Sequence, residues 1–173
     1  MSHRIGLFYG TTTGNTEDVA SLIAECLTNF EVEQHDIAEE GFECAADYQQ
    51  LIIGIPTWDF GELQEDWADL WETLDEIDFS GRTCALFGLG DQVGYAEWFQ
   101  DAMGLLHDKL VQRGATMVGY WPNQDYKFIA SKALTEDKSH FVGLAIDQDS
   151  QSIETETRIA TWVAQVICEF ELA

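Results

Sequence analysis

Basic residues are scarce in this chain of 173 residues. It has eight Lys and Arg against 32 Asp and Glu, which gives a formal net charge of −24 at pH 7. DNA and RNA would be repelled by this charge, and so would an anionic membrane surface. Basic protein partners would instead be attracted, and added salt would weaken their association. We therefore expect protein partners, and neither a nucleic-acid nor a membrane function.

Targeting and metal signals are also missing. No apolar run approaches the roughly 18 residues that a membrane-spanning helix needs. The sequence passes from Met1–Arg4 directly into a strand pattern, so we expect no signal peptide and a cytoplasmic location. The four cysteines show no Cys-x-x-Cys or Cys/His metal spacing. We expect no metal, and we expect buried free thiols, among them Cys26 and Cys84.

Short apolar strands alternate with amphipathic helices along the chain. This alternation predicts one α/β domain over residues 1–173, a three-layer doubly wound fold around a five-stranded parallel sheet. The predicted strands are residues 5–9, 32–36, 51–55, 83–88 and 115–120. The predicted helices are residues 19–30, 63–77, 97–112 and 154–171, with a helical turn within 38–47. The pattern is lost over 121–140 and returns at 141–146, so we expect a last strand interrupted by a long insertion.

Three loops follow the first, third and fourth predicted strands, at residues 10–16, 56–61 and 88–95. Ligands of such sheets bind outside the carboxyl ends of the strands. The loop from Gly10 to Thr16 is rich in hydroxyls and precedes a helix, so its free N–H groups and the helix dipole favour an anion. It has no Lys or Arg and no Gly-x-Gly-x-x-Gly pattern, which excludes a P-loop and a dinucleotide fingerprint. Taken alone, it fits an ordinary capped turn equally well.

The other two loops contribute aromatic side chains. Trp58 and Phe60 belong to the second loop and Tyr95 to the third. Each ring alone would be explained by packing at the rim of the sheet. Together with an anion loop, they predict a site for a flat ring that carries a phosphorylated chain, because aromatic side chains stack on such rings.

Three segments in order resemble the flavodoxin family. Residues 8–16 are similar to its phosphate loop, and residues 54–58 and 88–95 are similar to its two flavin loops. The interrupted last strand resembles the long-chain branch, and the details at 58–62 and 98–99 resemble the second flavodoxin of some bacteria. The resemblance implies non-covalently bound FMN and the strand order 2-1-3-4-5.

The resemblance also implies a role for individual residues. Residues 11–16 would hold the phosphate, Trp58 and Tyr95 would flank the isoalloxazine, and Asp147 would bond to the ribityl hydroxyls. The peptide between Asp59 and Phe60 would lie near flavin N5. The implied cofactor-binding residues are Thr11, Thr12, Thr13, Gly14, Asn15, Thr16, Pro56, Thr57, Trp58, Asp59, Phe60, Gly61, Leu89, Gly90, Asp91, Tyr95, Trp98, Phe99, Gln100 and Asp147.

The implied activity is that of a low-potential one-electron carrier, a monomer that shuttles between semiquinone and hydroquinone. Nine acids and no base lie between Trp58 and Ser80. Their charge would disfavour the anionic hydroquinone and lower its potential. The expected partners are basic-surfaced redox proteins, such as an NADPH:flavodoxin reductase and electron-accepting enzymes. The acidic surface expected to meet them consists of Asp59, Glu62, Glu65, Asp66 and Asp69.

Two other interpretations of the function stay open. An FMN-dependent quinone or nitro reductase could use the same fold, although the sequence shows no Cys/His pair, no Ser/His/Asp set and no nicotinamide motif. A phosphoacceptor signalling domain has a similar architecture. It needs acidic residues after the first strand and an Asp at the end of the third, where this chain has Gly10 and Pro56. We expect no catalytic residue.

Overall fold

The computed structural model describes residues 4–172. Met1–His3, on which the signal-peptide prediction rests, and Ala173 lie outside the described residues. Between residues 4 and 172, no helix is both long and apolar enough to cross a membrane.

A parallel sheet forms the middle of the molecule. Its strands are β1 (Arg4–Tyr9), β2 (Glu31–Asp36), β3 (Gln50–Trp58), β5 (Thr83–Leu89) and β6 (Thr116–Val118). They lie side by side in the order β2-β1-β3-β5-β6. A short strand β4 (Glu62–Leu63), which the sequence pattern did not predict, pairs antiparallel with β3. When β4 is left out of the numbering, the order is 2-1-3-4-5, so the predicted fold class is confirmed.

The last strand is split, as predicted. β6 pairs with the first part of β5, and β9 (Leu144–Ile146) pairs parallel with its last part. The insertion between them contains a small antiparallel pair, β7 (Trp121–Pro122) and β8 (His140–Phe141). Aromatic rings of the insertion pack on Phe99, with the Phe128 centroid 5.3 Å away. The insertion is therefore attached next to the third predicted loop.

Five α-helices within residues 4–172 cover the sheet. They are α1 (Asn15–Cys26), α2 (Ile37–Glu40), α3 (Glu65–Leu70), α4 (Asp101–Gln112) and α5 (Thr155–Leu172). One buried cluster lies on the face that carries α3 and α4 and includes Phe8 and Trp67. The other lies under α1 and α5 and includes Leu7 and Trp162. Neighbouring residues of β1 thus point to opposite faces, as a strand buried on both sides requires.

Helix ends differ from the prediction at three places. α1 ends at Cys26 instead of continuing to residue 30. The prediction of a buried thiol is wrong for Cys26, which is exposed at this helix end, and Cys168 is exposed as well. Cys84 is buried as expected. The third helix ends at Leu70, and a 3-10 turn replaces its second half. Acidic side chains spaced three and four residues apart disfavour a longer helix there. α4 begins at Asp101 rather than 97, because Gln100 has a left-handed backbone with φ 63°.

Candidate functional site

A cleft of about 270 Å³ opens at the carboxyl ends of β1, β3 and β5. It lies at the topological switch point, where β1 has β2 on one side and β3 on the other. All three loops singled out in the sequence contribute to it, together with the loop after β9. The cleft is lined by Thr12, Thr13, Asn15, Thr16, Pro56, Thr57, Trp58, Asp59, Leu89, Gly90, Asp91, Tyr95, Trp98, Gln148 and Asp149.

One end of the cleft is the N-terminus of α1. The residue before the helix, Gly14, has φ 91°, which favours glycine, and no side chain caps the helix. Its own N–H donates to Thr11 Oγ1 over 3.0 Å, which shapes the turn. The N–H groups of the first helical turn have no intrahelical partner. The helix start therefore presents free donors to the cleft.

No basic side chain lines this end of the cleft. The cleft lining contains no Lys or Arg, and the first turn of α1 carries Glu17 and Asp18, which are exposed. An anion here would be held by N–H groups, hydroxyls and the helix dipole. Such a site selects its ligand by hydrogen-bond geometry rather than by charge.

Aromatic rings form the other end. Trp58, Tyr95 and Trp98 line the cleft. Phe60 is 65% exposed, and its ring centroid is 4.9 Å from that of Trp98. Trp58 Nε1 is buried and has no hydrogen-bond partner among the described residues. The aromatic end thus offers broad apolar surfaces, as a flat ring requires.

The loop that carries Asp59 turns sharply. Asp59 has φ 44° and Gly61 has φ 83°, and the turn leads from β3 into β4. A Cβ at Gly61 would lie 2.8 Å from Asp101 Oδ2. Burial raises the pKa of Asp101 above its ordinary value, and the bond that its carboxylate accepts from Lys132 N opposes this rise. Asp101 thereby lies between the 58–61 loop and the insertion.

Internal hydrogen bonds hold the third loop. Asp91 Oδ1 accepts from the N–H groups of Val93 and Gly94, at 3.0 and 2.8 Å. The Gly90 N–H donates to the carbonyl of Ile146 over 3.0 Å. Gln100 is fully buried, and its Nε2 donates to the same carbonyl over 3.0 Å. This loop is therefore tied to the end of β9.

Several residues predicted for the site do not line the cleft. Thr11 and Gly14 shape the turn before α1, and Phe99 is buried against the insertion. Phe60 lies at the mouth of the cleft, beside Trp98. The predicted residues outside the lining are Thr11, Gly14, Phe60, Gly61, Phe99, Gln100 and Asp147.

Asp147 differs most from its expected role. Its side chain is 0% exposed. Oδ2 accepts from Gln92 N and Gln92 Nε2 at 3.1 and 2.8 Å, and Oδ1 accepts from Asp149 N and Ser150 N at 3.0 and 2.8 Å. Protein donors thus occupy both oxygens, which leaves little capacity for ribityl hydroxyls. Asp147 instead ties the third loop to the loop after β9.

The next two residues, Gln148 and Asp149, line the cleft in its place. No sequence motif predicted them, although their position directly after the last strand could have indicated them. Partial burial raises the pKa of Asp149 above its ordinary value, and the negative charges of Asp91 and Asp147 raise it further. The cleft therefore carries concentrated negative charge at this side.

The acidic residues expected to meet a partner lie along the edge of the second loop. Asp59, Glu62, Glu65 and Asp69 are exposed. Asp66 is only partly exposed, and its Oδ2 accepts from Gln64 Nε2 over 2.7 Å. Four of these five carboxylates are therefore freely accessible to a partner.

An uncapped helix start that faces aromatic rings across a cleft, at the switch point of a doubly wound sheet, defines a nucleotide-binding α/β protein. The family model described as Flavodoxin matches residues 7–162. The flavodoxin of Nostoc sp. is 53% identical over 172 residues, which cover 99% of this chain and 100% of that protein. The chain belongs to the flavodoxin family.

Other relatives agree. Flavodoxin 1 of Salmonella typhimurium is 50% identical, over 96% of this chain and 94% of that protein. Flavodoxin 2 of Salmonella typhi is 46% identical, over 95% of each chain. These two identities, 50% and 46%, do not indicate that the chain is more similar to the second flavodoxin than to the first. The structure of Fusobacterium nucleatum flavodoxin bound to flavin mononucleotide superposes with a TM-score of 0.91, at 29% identity over 96% of this chain and 98% of that one.

Proposed function

We propose that the chain is a low-potential one-electron carrier that binds FMN non-covalently in the cleft. The observation that carries this proposal is a single cleft that joins the open N-terminus of α1 to the rings of Trp58 and Tyr95. The flavodoxin relatives support it, as does the similar fold of the FMN-bound Fusobacterium nucleatum protein.

The residues present fit FMN along the whole cleft. The first-turn amides of α1 and the hydroxyls of Thr12, Thr13 and Thr16 would hold the phosphate. Trp58 and Tyr95 would flank the ring. The buried Trp58 Nε1 has no hydrogen-bond partner among the described residues and is available to the ligand. The remaining predicted residues act through their backbone or by shaping the loops.

When bound, FMN supplies reversible one-electron chemistry, and the protein sets how readily it accepts charge. Asp59, Asp91 and Asp149 line the cleft, and no base lines it. The aromatic rings keep water from the flavin. Both effects disfavour additional negative charge on a bound ring, because charge is least stable in a dry site beside other negative charges. The result is a low potential for the second electron.

The partners are basic-surfaced redox proteins, including an NADPH-dependent reductase as donor and electron-accepting enzymes. The exposed carboxylates of Asp59, Glu62, Glu65 and Asp69 lie beside the cleft, so a basic partner steered to them reaches the flavin edge. The carrier acts as a monomer in the cytoplasm. The chain contributes positioning and charge rather than a catalytic group.

Stepwise anaerobic reduction of the purified chain tests the flavin assignment. Visible spectra should show two separate one-electron steps, and NADPH alone should not drive steady turnover. Direct two-electron reduction, or NADPH turnover by the isolated chain, would instead indicate a quinone or nitro reductase. A chain that neither contains nor binds flavin would contradict the proposal altogether.

A charge-matched pair of variants tests the partner surface. Neutralising three acids beside the cleft should slow electron transfer to a basic partner and flatten its salt dependence, because steering acts through these charges. Neutralising three exposed acids away from the cleft should change both much less. The two variants are E62Q/E65Q/D69N and the control E25Q/E31Q/D47N. Equal effects of the two would show that only the net charge matters.

A further inference from the structure

Gln64 is a buried polar residue between the first and second loops. It is 2% exposed, it directly precedes α3, and it does not line the cleft. Its Nε2 lies 3.1 Å from Thr12 Oγ1 and 2.7 Å from Asp66 Oδ2. Its Oε1 is buried and has no hydrogen-bond partner among the described residues. The side chain therefore connects the anion loop to the start of α3.

Asp66 fixes which way the Gln64 amide points. An ionised carboxylate only accepts hydrogen bonds, so the NH₂ group and not the carbonyl must face it. The same nitrogen has a second hydrogen, which Thr12 Oγ1 accepts. The reverse orientation would place the amide oxygen against the carboxylate of Asp66.

Glycine at position 10 makes room for this arrangement. A Cβ there would lie 2.6 Å from Gln64 Oε1 and 2.8 Å from the Trp67 ring. Leaving Oε1 without a partner in the interior costs free energy. The amide of Gln64 therefore stays in place although its Oε1 has no partner, and there is no room for a side chain at Gly10.

We propose that Gln64 is a positioning residue for phosphate recognition, which acts through the hydroxyl of Thr12. A threonine hydroxyl has a single hydrogen and can both donate and accept. Because Thr12 Oγ1 accepts from Gln64, its own hydrogen must point away from the Gln64 amide, where it can donate to another group. Among residues 4–172 no protein acceptor takes that hydrogen, and Thr12 lines the cleft. Gln64 thereby makes Thr12 a dedicated donor toward an anion, at a loop that has no basic side chain.

This inference rests on the proposed function and makes a prediction that the function alone does not. FMN and riboflavin share the ring and the ribityl chain and differ in the phosphate. Substitution of a residue that acts on the phosphate should change the affinity for FMN and should not change the affinity for riboflavin. A residue that only supports the fold should change both.

The test is Gln64→Leu, which removes the amide and keeps a similar volume. In flavin titrations of the full chain freed of its cofactor, we expect the Kd for FMN to rise about tenfold, the size of one weakened hydrogen bond to a charged group. The Kd for riboflavin should stay unchanged. Gln50→Leu is the matched control. It removes a bond from Gln50 Nε2 to the carbonyl of Phe170 at the other end of β3, and it should leave both affinities unchanged.

Thr12→Val provides a second, independent test, which also applies if Gln64→Leu folds poorly. It should reproduce the selective loss of FMN affinity. In its background Gln64→Leu should have little further effect, since both act through one hydroxyl. Equal losses for the two flavins, or an unchanged FMN affinity in Thr12→Val, would overturn the inference. If the unaltered chain binds neither flavin, the proposed function itself fails.

Discussion

The buried carboxylate of Asp147 leads to the sharpest prediction on stability. Asp147→Asn keeps the shape of the side chain and replaces one acceptor oxygen by an NH₂ group. One oxygen can retain its two bonds, either those from Gln92 or those from Asp149 and Ser150. The new NH₂ group then faces two N–H donors, which both lose their acceptor. The two donors of Gln92 are buried, whereas the bonds from Asp149 and Ser150 are only partly buried.

The magnitude follows from this count. A buried donor without a partner costs about 1–3 kcal/mol, so loss of both Gln92 bonds would cost about 2–6 kcal/mol. Loss of the partly buried bonds from Asp149 and Ser150 costs less, because water reaches these donors. Neutralising a buried carboxylate relieves part of its desolvation, which offsets some of this cost. The amide will take the orientation that leaves the partly buried pair without an acceptor, so we expect the free energy of unfolding to fall by about 1–3 kcal/mol, less than the roughly 5–15 kcal/mol of a typical domain. The variant should therefore fold, with a weakened cleft.

Urea unfolding of the flavin-free chain measures the loss, and FMN titration measures the effect on the cleft. Both loops joined by Asp147 contribute to the cleft lining, so the Kd for FMN should rise. Asp137→Asn is the control, because the exposed Asp137 also accepts several bonds, from Thr135 and Ser139. Water replaces those bonds, and the control should cost less than about 1 kcal/mol. Equal stability of Asp147→Asn and the parent chain would refute the reasoning.

Three further predictions concern the rest of the molecule. The midpoint of thermal unfolding should rise as salt increases from about 0.01 M to about 0.5 M, because salt screens the repulsion within a chain of net charge −24; a midpoint independent of salt would contradict this. Hydrogen bonds from Arg4 and Tyr48 lower the pKa of Glu33 from 4.5 to about 2, so its contribution to stability is present above pH 4.5 and is lost as the pH falls toward 2. Urea midpoints measured across that window should decline less steeply in Glu33→Gln, and parallel curves would count against the assignment. Gly104→Ala should destabilise the chain although alanine favours helices, because its Cβ would lie 2.2 Å from the carbonyl oxygen of Lys132; a gain in stability by urea unfolding would show that the insertion moves freely.

The sequence was sufficient for the layout of the fold. Alternating apolar strands and amphipathic helices predicted the parallel sheet, and the loss of pattern over 121–140 predicted the split last strand. These features follow from local periodicity. The rule that ligands bind outside the carboxyl ends of the strands then predicted that the three loops form one site. The family resemblance then supplied FMN and the strand order.

Helix ends and short strands were decided by local conformations that periodicity does not encode. Gln100 adopts a left-handed backbone and delays the start of α4. β4 consists of two residues that pair only because the chain reverses at Asp59 and Gly61. The helix predicted over 63–77 keeps its buried residue Leu74 but loses its regular hydrogen bonds. Apolar spacing shows which side chains are buried and cannot show whether the backbone between them stays helical.

Contacts between distant segments were decided by the tertiary structure alone. By its type and position, Asp147 suited a ligand-facing acid, yet four N–H donors from two loops enclose it. Gln64 carried no signal in the sequence, and its bond to Thr12 spans 52 residues. A hydrogen bond between side chains far apart in the chain depends on how the loops pack against each other. Periodicity and motifs describe single segments, so they located the cleft but not the residues that hold its donors in place.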